Sequence, residues 1–393
     1  MKRKRRLLWL GANLCRLLLS VTFVFSGVVK LIDPRGTQYR IEDYAVAFNV
    51  YTLLPQGGEL LLAVGLALLE FFIGFYLFFG IRRRGTTRMA LVLLLILTPL
   101  TLYLALTNAV ADCGCFGDVV RLTNWQTFAK NVVLLMATIV AMVNYRRLTR
   151  FITERNQWVV SLYAAVFAIF LAMYSIHYLP VIDFRPYCIG TNLPKAIEDD
   201  FSGRNPEPRY LDFMFQTPEG EDITMQWLGQ PGYKFLLVAP WLEIADDGST
   251  DQVNAIYDYC LQQGYPFLAL TASMEESIKR WKDLTGAEYD FAQADGTLLK
   301  TIIRSSPGLI LFRDGVIYNK WSCNSLPDET LLTVPLDESK LGQMQQKSRV
   351  RSAYHLLLWF VLPLLIWTLI DRVWIGSKFY RWRKMRKKEK TEK

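Results

Sequence analysis

The sequence predicts an α-helical multi-span membrane protein that also carries a water-exposed α/β domain. Six apolar stretches are each long enough for a helix to cross a hydrocarbon core about 30 Å thick, which takes about 20 residues. The long segment between the fifth and sixth stretches instead alternates strand and helix patterns. A short loop between the third and fourth stretches holds two cysteines one residue apart, Cys113 and Cys115.

The predicted membrane spans lie at 7–32, 58–80, 89–110, 124–145, 157–179 and 353–375. The first four follow one another through short loops, which favours a compact four-helix bundle, with two further spans. We therefore divide the chain into a four-helix bundle (1–150), a fifth span (151–180), a linker (181–209), an α/β domain (210–335), a second linker (336–352), a sixth span (353–375) and a basic tail (376–393).

The net charge of +9 is concentrated in alternate loops and at both ends of the chain. Arginines are frequent between spans two and three and between spans four and five, whereas the other short loops carry few. Because basic loops stay in the cytoplasm, this pattern predicts that both termini are cytoplasmic. Segments 33–57, 111–123 and 181–352 then face the opposite side. The basic segments are topology signals that can also touch anionic lipid, and we expect no nucleic-acid partner.

Two ionisable residues lie deep within the first two predicted spans. Arg16 and Glu70 are each about 13–15 Å from the same membrane surface at a rise of 1.5 Å per residue. An unpaired charge there is costly, by at least about 2.5 kcal/mol, so we expect an Arg16–Glu70 pair. The pair would be a structural lock, or Glu70 would belong to a proton or quinol site.

Cys113 and Cys115 form the candidate catalytic site. A disulfide across so few residues is strained, and strained, exposed disulfides are the labile, oxidising kind. Lys130, less than two turns into the fourth span, could lean back and favour a thiolate. Three structural alternatives remain: permanent bridges to Cys188 or Cys323, half of a metal site, or loop packing. No histidine lies nearby in the sequence, so we expect no metal.

Residues 7–145 resemble a known family of membrane proteins. The resemblance rests on Gly27 to Pro34, on Glu70, on the string Cys113-Gly-Cys-Phe-Gly-Asp118 and on the segment from Asn124 to Asn131. These resemble the DoxX family and, within it, the methylamine-utilisation MauE group. The resemblance implies a bacterial inner-membrane protein, associated with disulfide formation in a periplasmic protein or with quinone-linked oxidation.

The exported segment resembles a different family. It predicts a hairpin at 210–225, strands at 234–239 and 266–271, helices at 250–263 and 274–284, and a final hairpin at 308–321. This order resembles thioredoxin-like domains and implies a cis peptide at Ser306-Pro307, because proline lowers the cis penalty. Where that family carries Trp-Cys-x-x-Cys, this chain has Trp241-Leu-Glu-Ile-Ala245. The resemblance therefore implies a client-binding groove beside Pro307 or a scaffold.

Cys188 and Cys323 are the remaining candidate pair outside the bundle. They would form a second disulfide that staples the linker to the domain, or one of them would exchange with Cys113 and Cys115. We expect a periplasmic redox or maturation factor with a quinone as candidate electron acceptor and a client protein as partner. The alternative is a non-enzymatic membrane scaffold. A transporter is disfavoured because paired broken helices are not apparent.

Overall fold

The computed structural model describes residues 2–50, 55, 57–110, 113–205, 208–345 and 349–391. Pro206 of the predicted first linker and the side chains of the basic tail lie outside the described residues. The chain forms two compact units, one of residues 1–173 with 353–393 and one of residues 174–352. We call the first the membrane unit and the second the sheet domain.

The membrane unit consists of long helices, and the six predicted spans are confirmed as helices of suitable length and apolarity. With one short helix, α2, between the first two, they are α1 (Lys2–Ile32), α2 (Pro34–Ala47), α3 (Gly58–Phe79), α4 (Arg83–Thr107), α5 (Asn124–Val143), α6 (Gln157–His177) and α12 (Arg349–Thr391). Asp33 caps α2 by accepting a hydrogen bond from the Gly36 amide at 2.9 Å. The cap turns the chain at the end of α1 and directs α2 away from that span.

Glycines bring α1 and α3 into close contact. A Cβ atom at Gly27 would lie 2.5 Å from the Phe71 backbone nitrogen, and one at Gly74 would lie 2.5 Å from that of Val24. Small residues at such crossings let membrane helices pack backbone to backbone. The bundle core beside this contact is apolar and includes Leu19, Ile73 and Leu134.

The fifth and sixth spans pack onto the bundle. The Phe360 ring of α12 lies 5.7 Å from that of Phe71 in α3 and 4.7 Å from that of Phe167 in α6. Asp371 of α12 accepts hydrogen bonds from the Thr153 amide at 3.0 Å, from the Thr153 hydroxyl at 2.7 Å and from Asn156 at 2.6 Å. This buried carboxylate therefore satisfies donors at the start of α6 from a distant part of the chain.

The sheet domain is a six-stranded mixed sheet with helices on both faces, a thioredoxin-like fold. Its strands pair in the order β1-β4-β3-β2-β5-β6. Strands β2, β3 and β4 are parallel, and β1, β5 and β6 each run antiparallel to a neighbour. The strands are β1 (Phe215–Gln216), β2 (Tyr233–Val238), β3 (Phe267–Thr271), β4 (Asp290–Ala294), β5 (Gly308–Arg313) and β6 (Val316–Ser322).

Alternate side chains of the central strands fill two separate cores. Phe235 and Leu237 of β2 enter one core, and Leu236 and Val238 enter the other, as the two-residue period of a strand requires. The helices of the domain are α7 (Leu193–Phe201), α8 (Thr224–Gly229), α9 (Thr250–Gln263), α10 (Glu275–Thr285) and α11 (Gly296–Ile302).

Several sequence predictions for this domain were wrong. Segment 181–209 is not a free linker, because it forms α7 and buries Leu193 and Ile197 against the sheet. The described part of the predicted linker 336–352, which leaves out 346–348, is likewise not a free linker, because Leu336 and Leu341 join the core on the other face. The predicted hairpin at 210–225 is reduced to β1 and one isolated bridge, and α8 replaces its second strand. Strand β4 was not predicted.

Candidate functional site

The loop between α4 and α5 places the two cysteines side by side. Gly114 adopts a positive φ of 64°, which favours glycine and turns the chain between them. The loop ends where Thr123 and Gln126 form a capping box at the start of α5. A Cβ atom at Gly114 would lie 3.0 Å from the Arg40 side chain of α2, so a larger residue would also crowd that helix.

The Cys113 and Cys115 sulfurs lie 3.0 Å apart. A disulfide bond is about 2.05 Å long, so little movement separates this pair of thiols from a bridge. Both residues are half-buried. The pKa of Cys115 is lowered to about 6, chiefly by the hydrogen bond between the two sulfurs; burial opposes the shift, and Lys130 and Lys30 support it. The same hydrogen bond and burial raise the pKa of Cys113.

Aromatic and basic side chains enclose the loop. The Phe116 ring lies 5.3 Å from that of Phe25 in α1. The Lys130 ammonium lies 4.8 Å from the centre of the same Phe116 ring. Tyr44 of α2 donates a hydrogen bond to the Cys113 carbonyl oxygen at 3.0 Å. The cysteines are thus held between α1, α2 and α5.

A buried polar network lies directly against the Cys115 backbone. The Lys30 ammonium donates to the Glu70 carboxylate at 2.5 Å, to the Ser26 hydroxyl at 2.8 Å and to the Cys115 carbonyl at 3.2 Å. The Ser26 oxygen lies 2.6 Å from both the Glu70 carboxylate and the Cys115 carbonyl. All three side chains are about 95% buried. We call them the Ser26–Lys30–Glu70 network.

The predicted Arg16–Glu70 pair is wrong, because the carboxylate of Glu70 takes Lys30 as its cation. Arg16 instead donates to the carbonyl oxygens of Phe78 at 3.3 Å and Thr149 at 2.6 Å. Its guanidinium also lies 5.0 Å from the centre of the Phe151 ring. Arg16 therefore binds the end of α3 and the loop before α6, away from the cysteines.

The sequence contained a signal for this network that the prediction did not use. Ser26 and Lys30 are four residues apart in the largely apolar second half of α1, so they share one face. Because Lys30 is close to the end of α1, its position in the sequence indicated the bend that follows the span. Tyr44 gave no distinguishing signal on α2.

Cys188 and Cys323 do not form the predicted second disulfide. Both are free thiols. The Cys188 sulfur contacts the Thr191 hydroxyl at 3.4 Å, and the Cys323 sulfur contacts Asp246 at 3.6 Å. Neither residue therefore staples the sheet domain. Cys260 is fully buried, and burial raises its pKa.

The Ser306-Pro307 peptide bond is cis, as predicted. The Ser306 carbonyl accepts a hydrogen bond from the Asp246 amide at 3.0 Å. The neighbouring Ser305 hydroxyl accepts one from the Cys323 amide at 3.0 Å. Cys323 and Asp246 therefore flank the loop that carries the cis proline. Across the described ranges, with their gaps, His, Cys, Asp and Glu side chains do not cluster as a metal site would require.

Comparisons with known proteins give a family match and a structural neighbour. No curated protein matches the chain. A solution structure described as that of a candidate protein disulfide isomerase from Bacteroides thetaiotaomicron is 14% identical, with a TM-score of 0.27; the match covers 36% of this chain and 89% of that one. The helical part of the chain gives the family match: residues 5–144, which hold the network and both cysteines of the loop, match the model of the methylamine utilisation protein MauE family.

Proposed function

We propose that this membrane protein is a thiol–disulfide maturation factor that exchanges disulfides with a client protein through Cys113 and Cys115. The MauE match over residues 5–144 supports a redox-related role at a membrane. The observation that carries the proposal is the 3.0 Å separation of the two sulfurs in a loop enclosed by Lys130, Phe116 and the Ser26–Lys30–Glu70 network.

The exchange consists of two thiolate attacks. A client thiolate attacks the Cys113–Cys115 disulfide, so one sulfur–sulfur bond forms and another breaks. A second client thiolate then attacks the client sulfur of this mixed disulfide. The client thereby loses two electrons and two protons, and both cysteines return to thiols. Reoxidation passes two electrons and two protons to a membrane quinone, which becomes a quinol.

We propose that the sheet domain holds the client without performing exchange by itself. The segment after β2 carries Leu242 and Ala245 in place of the two cysteines of an active thioredoxin. Glu243 accepts a hydrogen bond from Ser273 at 2.8 Å, which fixes this segment in the absence of a disulfide. The groove beside Ser306 and Pro307 is the proposed client surface.

The arginine pattern supports an inner-membrane location with both termini in the cytoplasm. The Cys113–Asp118 loop and the sheet domain would then both face the periplasm, because an even number of spans separates them. The periplasm is oxidising, so a client disulfide made there persists.

Trapping of mixed disulfides tests the proposal. In Cys115→Ser the Cys113 thiolate can attack the disulfide of an oxidised client, so the client S–S bond breaks and a Cys113–client mixed disulfide forms. Position 115 then holds no thiol to resolve this mixed disulfide, so the client should stay attached as a reductant-sensitive adduct. Cys260→Ser is the matched control, because that thiol is buried in one core of the sheet domain and is not accessible to a client. If neither Cys113→Ser nor Cys115→Ser traps a protein or alters the thiol state of any envelope protein, the proposal is wrong.

A non-enzymatic scaffold is the second candidate, and the missing cysteines after β2 favour it. A scaffold needs no redox cycle, so a Cys113–Cys115 bridge would be permanent. Gel mobility after thiol alkylation separates the two functions. A bridge whose occupancy is unchanged by respiratory inhibitors favours the scaffold, whereas thiols that accumulate under inhibition favour exchange.

A further inference from the structure

We infer that the Ser26–Lys30–Glu70 network assigns different tasks to the two cysteines. It holds the loop by the Cys115 carbonyl and makes Cys115 the sulfur that leaves as a thiolate, while Cys113 is the sulfur that the client attacks. The inference rests on the proposed function, because it describes how the exchange is directed.

The network lies at a close backbone contact between α1 and α3. Gly27 sits between Ser26 and Lys30 in the sequence and touches the backbone of Phe71, the neighbour of Glu70. The helix backbones therefore fix the distance between the Lys30 and Glu70 side chains. A buried charge in a span is costly and marks function by default unless it serves packing alone.

Each of the three N–H groups of the Lys30 ammonium has an acceptor. Its three protons go to Glu70, to Ser26 and to the Cys115 carbonyl. A simple structural ion pair would need only the first of these contacts. The third, at 3.2 Å, ties the positive charge to the backbone of one particular cysteine in the loop.

The two cysteines consequently have different surroundings. Cys115 is tied to Lys30 and Ser26, whereas the carbonyl of Cys113 is bound by Tyr44 of α2. The charged and titratable groups that face Cys115 are Cys113 from the loop, Lys30 from α1, Glu70 from α3 and Lys130 from α5. Lys130 acts on both thiols, so Lys30 is the cation that favours a negative charge on Cys115 over one on Cys113.

This asymmetry determines which sulfur leaves. When a thiolate attacks a disulfide, the sulfur that better carries negative charge departs faster. The client sulfur therefore bonds to Cys113, the bond between Cys113 and Cys115 breaks, and its electron pair stays on Cys115. The second client thiolate then displaces Cys113, which takes up a proton, and the client leaves as a disulfide.

The test measures alkylation of Cys115 by iodoacetamide against pH in the reduced, full-length protein, with the two cysteines distinguished by mass spectrometry. In the native protein half-maximal reactivity should lie near pH 6. Lys30→Met should raise this midpoint by about one unit or more, because it removes a nearby cation. Glu70→Gln should lower it, because it removes a nearby anion.

Shifts of the alkylation midpoint in opposite directions support the inference. If the network served packing alone, both variants would shift the midpoint of Cys115 in the same direction. Lys30→Arg keeps a cation at this position, so its alkylation midpoint should stay close to that of the native protein. Arg16→Met is the control, since it removes the other buried cation of α1 without touching the loop. Equal shifts for Lys30→Met and Glu70→Gln, or no shift in either folded protein, would overturn the inference. Where Lys30→Met does not fold, the sign for Glu70→Gln decides.

Oxidation of a dithiol peptide by the oxidised protein separates this inference from the proposed function. If the native protein does not oxidise the peptide, the proposed function fails, whatever the alkylation profile. If it does, the mixed disulfide should map to Cys113. A mixed disulfide that maps to Cys115 would contradict the inference and leave the proposed function intact.

Discussion

Among single residues, Cys113 controls the acidity of its neighbour most strongly. Its hydrogen bond is the largest cause that lowers the pKa of Cys115 to about 6. Replacing Cys113 with Ala should therefore raise that pKa. The reactivity of Cys115 is present above its pKa, so in the native protein its alkylation rate should rise roughly tenfold between about pH 5 and pH 7.

Iodoacetamide modification followed by peptide mass spectrometry measures this prediction. In Cys113→Ala the midpoint should move toward the ordinary value of about 8.5. Cys260→Ala provides the control, because its thiol is buried in a different unit. An unchanged midpoint in Cys113→Ala would show that the sulfur contact does not determine the acidity.

Asp183 makes the stability of the sheet domain depend on pH. Burial alone would raise its pKa, but Arg185 and Lys320 outweigh burial and lower the pKa to about 2. Because the folded-state pKa is depressed below the ordinary 3.8, its stabilisation is complete above that value and is lost as the pH falls toward 2. The shift corresponds to a free energy of unfolding on the order of 2 kcal/mol.

Asp183→Asn should therefore destabilise the sheet domain by at least that order near neutral pH, since it also leaves Arg185 buried without its anion. Urea unfolding followed by near-ultraviolet circular dichroism measures the effect, and the penalty should shrink near pH 2. Asp251→Asn, an exposed position on α9, should change little. Equal penalties at both pH values would exclude an ionic origin.

Individual residues were predictable only where their spacing in the sequence carried the information. Cys113 and Cys115 are separated by one residue, so any loop brings them together. The position of Lys130 near the loop follows from the helical rise of α5. The partner of Glu70 could not be found this way. Arg16 and Lys30 both lie on α1, and the choice between them depends on how α1 crosses α3, which depth along a helix does not determine.

On the scale of secondary-structure elements, the contact of α1 with α3 yields a direct prediction. Gly27→Ala should weaken the bundle, because the new methyl group would meet the Phe71 backbone, which cannot move aside as a flexible side chain can. Overpacking of this kind costs about 1–3 kcal/mol. A lower unfolding temperature of the protein in detergent would show the loss.

Gly11→Ala and Gly65→Ala are matched controls in the same two helices, because a Cβ atom at either position meets no atom within 4 Å. They should be neutral or slightly stabilising, since alanine restricts the unfolded chain. Comparable losses in all three variants would mean that helix propensity, rather than contact between α1 and α3, explains the effect of Gly27→Ala.

Elements with strong hydrophobic patterns were predicted well, and short ones were not. Six spans and the central strands β2, β3 and β5 follow from their apolar runs. Strand β4 was missed because Asp290-Phe-Ala-Gln-Ala294 is short and mixed in polarity, and only pairing with β3 makes it a strand. Proline and acidic residues made 181–209 read as a linker, although Leu193 and Ile197 bury one face of α7.

For the whole molecule, the topology can be tested by labelling. In a cysteine-free background, Val120→Cys in the loop and Leu211→Cys in the sheet domain should react with a membrane-impermeant maleimide in cells whose outer membrane is permeable. Arg84→Cys should react only in inside-out vesicles. All three positions are exposed, so accessibility does not explain a difference. Reaction of Val120→Cys and Arg84→Cys from the same side would contradict the topology.

The contact of Asp371 with Thr153 and Asn156 has a consequence for biosynthesis. Thr153 and Asn156, just before α6, donate to the carboxylate of Asp371. The ribosome adds Asp371 218 residues after Thr153. Until then these donors lack their acceptor from α12. A stalled nascent chain that ends before Asp371 should therefore leave α6 more susceptible to membrane quality-control proteases than the completed polypeptide.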